Sequence, residues 1–178
     1  ISDEWKDAPF KSAFVEFLSS WNILRQKVDS TSVLFAVGEI VKVEAMHKAT
    51  DMYGPLPYLK FGLTNPVPYD SQQAIYESFF KELDHAIDIL VKFDQANPSS
   101  KALVKFDLIF NSNIPNWIRF ANSLKLRLAM RISAVYEDAQ KIAEAAVAHP
   151  YGVIESNDNN PTMQSNSNLS FTYNNPIH

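Results

Sequence analysis

The chain of 178 residues contains no cysteine, which excludes disulfide staples, thiolate metal sites and a cysteine nucleophile. Glycine is also scarce. Four glycines, widely spaced, cannot build a phosphate-cradling loop, and no G-x-S-x-G nucleophile elbow occurs. Excess positive charge is missing. Sixteen Lys and Arg face twenty Asp and Glu, a net charge of −4 that lacks the basic stripe of a nucleic-acid binder. No apolar run approaches the roughly 18 residues needed to cross a bilayer as a helix. The longest apolar block, Val33 to Met46, is interrupted by Glu39, Lys42 and Glu44. The histidines, His47, His85, His149 and His178, are too dispersed for metal-ligand spacing, so no metal or cofactor is expected. No signal peptide or lipidation motif is visible. The chain opens on Ile1 and closes on a polar, irregular stretch, so it reads as a piece of something longer.

What is present is apolar residues at helical spacing. Hydrophobic residues make up 46% of the chain, enough for a core. A first helix is expected from about Asp7 to Val28, capped by Asp7, with Pro9 in its first turn. Phe10, Phe14, Phe17, Trp21, Leu24 and Val28 then share one face. After a short Asp29–Thr31 turn, a second helix from about Ser32 to Thr50 returns antiparallel. It is apolar around most of its circumference, with Gly38 allowing a close approach. A loop from Asp51 to Asp70 holds four of the ten prolines, Pro55, Pro57, Pro66 and Pro68, together with Tyr53, Tyr58 and Tyr69.

Asp70 or Ser71 starts the third helix, with Gln73 placed for a capping box, and Ile75, Phe79, Leu83, Ala86, Ile87 and Leu90 form its stripe. It ends near Asn97-Pro98. Phe106–Phe110 suggests a short helical turn. Pro115 opens a fourth helix, and an alanine-rich fifth runs from about Glu137 to Ala148 until Pro150 stops it. From Glu155 onward asparagine and serine dominate, with one alternating stretch, Leu169–Tyr173, readable as a short strand. The expected architecture is all-α: stacked tetratricopeptide-like hairpins in a single domain over residues 1–178, with proline-rich and Asn/Ser-rich irregular loops.

Several groups invite a chemical reading, and each has a plainer one. Asp84 and Asp88, one helical turn apart, could be a glycosidase pair. Exposed acids at that spacing are more often a solvated face. Arg127 and Arg131, also a turn apart, could fork onto an acidic ligand. The structural alternative has them pair with Asp51 or Glu44 and fasten the helix to the proline loop. Tyr53, Tyr58 and Tyr69 could give a sugar an aromatic platform, or simply pack against the loop prolines. The stretch Asn157–Asn160 could offer oxygens to calcium but lacks EF-hand spacing. Asn168-Leu169-Ser170 matches the glycosylation acceptor pattern.

Five spaced strings carry a family resemblance. Ala49-Thr50-Asp51-Met52-Tyr53-Gly54-Pro55-Leu56-Pro57-Tyr58 resembles the TD-x-YG-x-(I/V/L)-PY signature of the SusD/RagB family. Pro68-Tyr69-Asp70-Ser71-Gln72 with Ile75-Tyr76, then Leu83-Asp84-His85-Ala86-Ile87, resemble the helix that follows it there. Asp107-Leu108-Ile109-Phe110 is similar to the D-x-(I/L)-(Y/F) step. Trp117 to Ile132, WIRFANSLKLRLAMRI, is close to the family's W-x-(K/R)-FANSLKLRLAMRI. The order is the family's, and the matches cover about Val33 to Ile177. The resemblance implies a tetratricopeptide-like helical protein that binds oligosaccharides, or in some members peptides, without catalysis. It implies an outer-membrane surface lipoprotein, anchored through an N-terminal cysteine absent from this chain and closing over a TonB-dependent, SusC-like channel. It casts Asp51, Gly54, Pro57, Trp117, Asn122, Arg127 and Arg131 as scaffold. The chain departs from the family at Asn111-Ser112-Asn113-Ile114-Pro115, where a glycine-aspartate step is usual. Family members are also much longer. A helical scaffold for a peptide or protein partner, and a helical glycoside hydrolase, are the competing functions.

Overall fold

The computed structural model describes residues 3–163, with side chains from residue 7. The alternating stretch Leu169–Tyr173 and the acceptor pattern at Asn168 lie outside the described residues. The described part is helical, as expected: α1 (Asp3–Lys11), a π-helical stretch (Ser12–Leu18), α2 (Ser19–Lys27), α3 (Val33–Tyr53), α4 (Gln72–Ala96), α5 (Ile114–Arg131) and α6 (Ala139–Val147). Extended pairing among the described residues is limited to one antiparallel bridge, Leu56 with Asp70. The helices stack in chain order. The N-terminal helix packs on α3, α3 on α4, α4 on α5 and α5 on α6.

The first helix differs from its sequence expectation. It is already helical at Asp3, so Asp7 caps nothing and Pro9 lies inside α1. A proline there removes one rung of the hydrogen-bond ladder and crowds the carbonyl four residues back. The widened π stretch follows at Ser12, and the Ser19 hydroxyl donates to the Phe14 carbonyl at 3.2 Å. One residue is gained in that turn. Leu18 therefore takes the core position that uninterrupted spacing assigns to Phe17, and the buried face reads Phe14, Leu18, Trp21.

Ser32 caps α3, accepting from the Phe35 N–H at 3.2 Å. Gly38 brings α3 against α2: a Cβ built there would lie 3.1 Å from Trp21 Cζ3. Gly38→Val should lower stability by about 1–3 kcal/mol, as overpacking does. Urea denaturation checks this, and a neutral result would mean the two helices are free to separate.

At α4, Ser71 rather than Asp70 is the cap, accepting from Ala74 N–H at 3.2 Å. Gln73 forms no capping box; its amide donates to Glu77 Oε1 at 3.0 Å. Asp70 is held elsewhere. Its Oδ2 accepts from Tyr58 N–H (3.1 Å) and Leu59 N–H (2.7 Å), which cinches the proline loop. The α4 stripe is buried as expected, with Ile75, Phe79, Leu83, Ala86 and Leu90 fully enclosed. Full burial of one such large apolar side chain is worth about 1.5–3 kcal/mol.

Candidate functional site

Three tyrosines and two arginines are the residues the sequence brings forward, and the structure sends them to different places. Tyr58 points inward. It is 6% exposed, meets Phe79 edge-on at 5.3 Å, and its hydroxyl donates to Glu82 Oε2 at 2.6 Å. Burial first, then Glu82, pushes its phenol well above the ordinary range. Tyr53 belongs to the last turn of α3, not to the loop, and packs edge-on against Phe10 at 5.6 Å. Tyr69 stands out into solvent, 66% exposed. The three rings do not form one platform.

The motif around them is a clasp. Thr50 Oγ1 donates to the Gly54 carbonyl at 2.7 Å and the Gly54 N–H returns to the Thr50 carbonyl at 2.8 Å. Gly54 has φ +74°, a left-handed turn that glycine makes without strain, and α3 ends there. Half-buried Pro57 sits between buried Leu56 and Tyr58, the two residues that anchor the loop.

Asp51 ties this end of α3 to two other helices. Its Oδ1 accepts from the Tyr76 hydroxyl of α4 at 2.6 Å, and its Oδ2 lies 2.9 Å from Arg131 Nε of α5 and 3.4 Å from His47 Nδ1. Burial, then the Asp51 bond, raises the Tyr76 phenol. One turn back, Arg127 pairs with Glu44, and His47 Nε2 lies 3.1 Å from the Arg127 guanidinium and 3.4 Å from Glu44 Oε2. Burial alone would raise the Glu44 carboxyl, but hydrogen bonds from His47 and Lys48, and then the Arg127 guanidinium, outweigh it and lower it to about 2. The two arginines thus fasten α5 to α3, not to the proline loop.

Trp117 and Asn122 are fixed in the same way. Trp117 is 1% exposed and its indole N–H donates to Asp107 Oδ2 at 2.8 Å. Asn122 donates to the Gly152 carbonyl at 2.9 Å, and Ser123 Oγ accepts from Ile154 N–H at 2.8 Å. The segment after α6 is thereby laid along α5. Asp84 and Asp88 do not face one another across a cleft. Asp84 pairs with Lys125 and Asp88 with Lys92 on an exposed surface. Asn157–Asn159 forms one 3-10 turn, and no group of three metal-ligating side chains occurs among the described residues.

A groove opens beside the Asp51 cluster, with a volume of about 470 Å³. The first turns of α4 line one side with Gln72, Gln73, Tyr76 and Phe80. Arg131, at the end of α5, and the following turn with Ile132, Val135 and Tyr136 line the other. Asp51 is its one acid, and that carboxylate is already bonded to Tyr76 and Arg131. Sequence reasoning missed Tyr76, Phe80 and Tyr136 here. The two walls lie about sixty residues apart in the chain, and no local spacing connects them.

The chain matches the SusD-like family, described as "Susd and RagB outer membrane lipoprotein", over residues 1–178. It is similar in structure to a chitin-binding SusD homologue from Flavobacterium johnsoniae: 34% identity, TM-score 0.84, covering 89% of this chain and 34% of that one. A chitin-binding protein is 39% identical with TM-score 0.76, covering 93% and 35%. A SusD-like protein from Bacteroides thetaiotaomicron is 29% identical with TM-score 0.83, covering 90% and 33%. No curated protein matches the chain. The chain spans about a third of the length of these solved structures.

Proposed function

From the premise that the chain belongs to the SusD-like family of outer-membrane lipoproteins, we propose that it is the helical frame of a protein that captures oligosaccharides at the outer-membrane surface. The protein binds without chemistry and hands its cargo to a TonB-dependent channel of the SusC type. What carries this reading is the homologue named as chitin-binding, 34% identical across 89% of this chain with the same helical stack. A second relative named as chitin-binding, 39% identical, supports β-linked N-acetylglucosamine oligomers as the first ligands to try.

The local chemistry agrees with binding rather than turnover. Asp84 and Asp88, the pair a hydrolase would need, are each occupied by a lysine on an open face. Both oxygens of Asp51 are already engaged, Oδ1 by the Tyr76 hydroxyl and Oδ2 by Arg131. The helices meanwhile form a rigid stack held by charged and aromatic clasps, a suitable support for recognition.

Calorimetry on the whole protein tests the proposal. Chitotriose should give a saturable heat, and chromatography afterwards should recover it intact. Release of shorter sugars would make the protein an enzyme. Saturable binding of peptides with no response to any saccharide would assign it to peptide capture instead.

A further inference from the structure

We infer that the groove between α4 and the end of α5 is itself a saccharide subsite, taking one or two rings of a neutral oligosaccharide. The inference rests on the glycan-binding reading above and adds the place and the charge class. The volume of about 470 Å³ falls in the range of small-ligand sites. Its floor is apolar: Tyr76 and Phe80 are 4% and 6% exposed. Tyr136, half-buried, also lines the groove, and an aromatic ring is the kind of surface on which the C–H face of a sugar packs.

Polar groups are placed around that apolar floor. Gln72 spends its amide N–H on the Thr50 carbonyl at 2.8 Å, and Gln73 spends its own on Glu77 at 3.0 Å. Both side-chain carbonyls are thus oriented and keep acceptor capacity for hydroxyls. Arg131 uses Nε on Asp51 and also bonds Tyr76, while its side chain is 58% exposed, and a guanidinium carries five N–H donors.

Charge decides the ligand class. The groove contains one cation and one anion, Arg131 and Asp51, already paired at 2.9 Å. A uronic acid would have to compete with Asp51 for Arg131. A neutral ring need only accept from the guanidinium's outer edge and donate to the two amides.

The test uses the whole protein with chitotriose and, as the acidic probe, trigalacturonic acid. Tyr136→Ala should weaken chitotriose about tenfold, and Gln73→Ala several-fold, with melting temperatures unchanged. Phe106→Ala, on a different surface, should leave affinity as it is. Hydrogen exchange on the unsubstituted protein should show residues 72–80 and 132–136 protected by chitotriose, a readout that does not depend on any variant folding. Chitotriose binding that is untouched by Tyr136→Ala and Gln73→Ala, with no protection there, overturns the subsite and leaves the proposed function standing. Tighter binding of trigalacturonic acid overturns the neutral class. No binding of any saccharide removes both.

Discussion

Asp107→Ala should cost about 4 kcal/mol of unfolding free energy, by the lost-acceptor principle that each buried donor left without a partner costs about 1–3 kcal/mol. Asp107 is 7% exposed and accepts four N–H bonds. Oδ1 takes Ile109 N–H at 3.0 Å and Phe110 N–H at 2.9 Å. Oδ2 takes Ser112 N–H at 2.7 Å and the Trp117 indole at 2.8 Å. These bonds hold a costly backbone. Asn111 and Ser112 have φ of +50° and +66°, the left-handed region, which is tolerable for asparagine and strained for serine. This is the segment where the chain departs from the family's glycine-aspartate step. The Asp107 carboxylate replaces glycine's freedom with hydrogen bonds. Ser112 adds to the lock, accepting from Leu103 N–H at 3.0 Å and donating to the Ser100 carbonyl at 3.3 Å.

Asp107→Asn keeps one oxygen and loses the other, so about half the cost, roughly 2 kcal/mol, is expected. A double-mutant cycle with Trp117→Phe should show strong coupling, because the indole N–H is one of the four donors. The pH dependence has a defined sign. Burial alone would raise the Asp107 carboxyl. The bonds from Phe110, Trp117, Ser112 and Ile109 outweigh it and hold the group below its ordinary 3.8. A depressed folded-state pKa contributes stability that is complete above the unfolded value and is lost as pH falls through the folded one. Glu44, lowered from 4.5 to about 2, has the same sign. Glu39, raised by burial, has the opposite sign and softens the acid limb. Stability should therefore fall below about pH 4.5, with a shallower slope in Asp107→Asn. Denaturant titrations across that range check both. An Asp107→Ala variant within 1 kcal/mol of wild type would mean that water already satisfies the four donors.

Asp107 also shows what a sequence can and cannot disclose. The string Asp107 to Phe110 resembles a family step, yet no spacing rule says that one carboxylate will collect donors at two, three, five and ten residues' distance. Long periodic stripes are different. The α4 face was readable because 25 uninterrupted helical residues keep one period. The N-terminal face was shifted by a residue where the π stretch intervenes. Sequence spacing ends α3 at about Thr50, three residues early, because Asp51 and Tyr53 look like loop residues beside prolines. They are helical because Gly54 makes the turn. Arg127 and Arg131 illustrate the intermediate case. Two cations on a largely apolar helix imply acids nearby, and α3 supplies Glu44 and Asp51 on one face, seven residues or about two turns apart. The groove was not legible at all, since its walls meet only after α4 and α5 dock.

Glu39 and Lys42 carry the same lesson into energetics. In the sequence they interrupt an apolar block, whereas in the fold both are 7% exposed. Lys42 Nζ lies 2.9 Å from Glu82 Oε1, and 4.7 Å and 5.3 Å from the ring centroids of Trp21 and Tyr58. Glu82 is fully engaged: Oε1 also accepts from Ser78 Oγ at 3.0 Å, and Oε2 accepts from the Tyr58 hydroxyl. Glu39 is met by His85 Nδ1 at 2.7 Å. Removing one member strands the rest in a low-dielectric interior. Glu82→Ala should cost about 3–5 kcal/mol, and Lys42→Ala a similar amount. Both losses should be nearly independent of salt, since ions do not reach the pair. The charges themselves add little over an apolar filling, because desolvation offsets most of their attraction. Lys42→Met with Glu82→Leu should recover part of the loss but leave the buried Tyr58 hydroxyl without its acceptor, at about 1–3 kcal/mol. Adding Tyr58→Phe should bring the triple variant within about 1–2 kcal/mol of wild type. Equilibrium unfolding of the four variants at low and high salt separates the cases. A Glu82→Ala cost below about 1 kcal/mol would mean that water fills the adjoining polar cavity of about 110 Å³ and solvates Lys42 in place of the carboxylate.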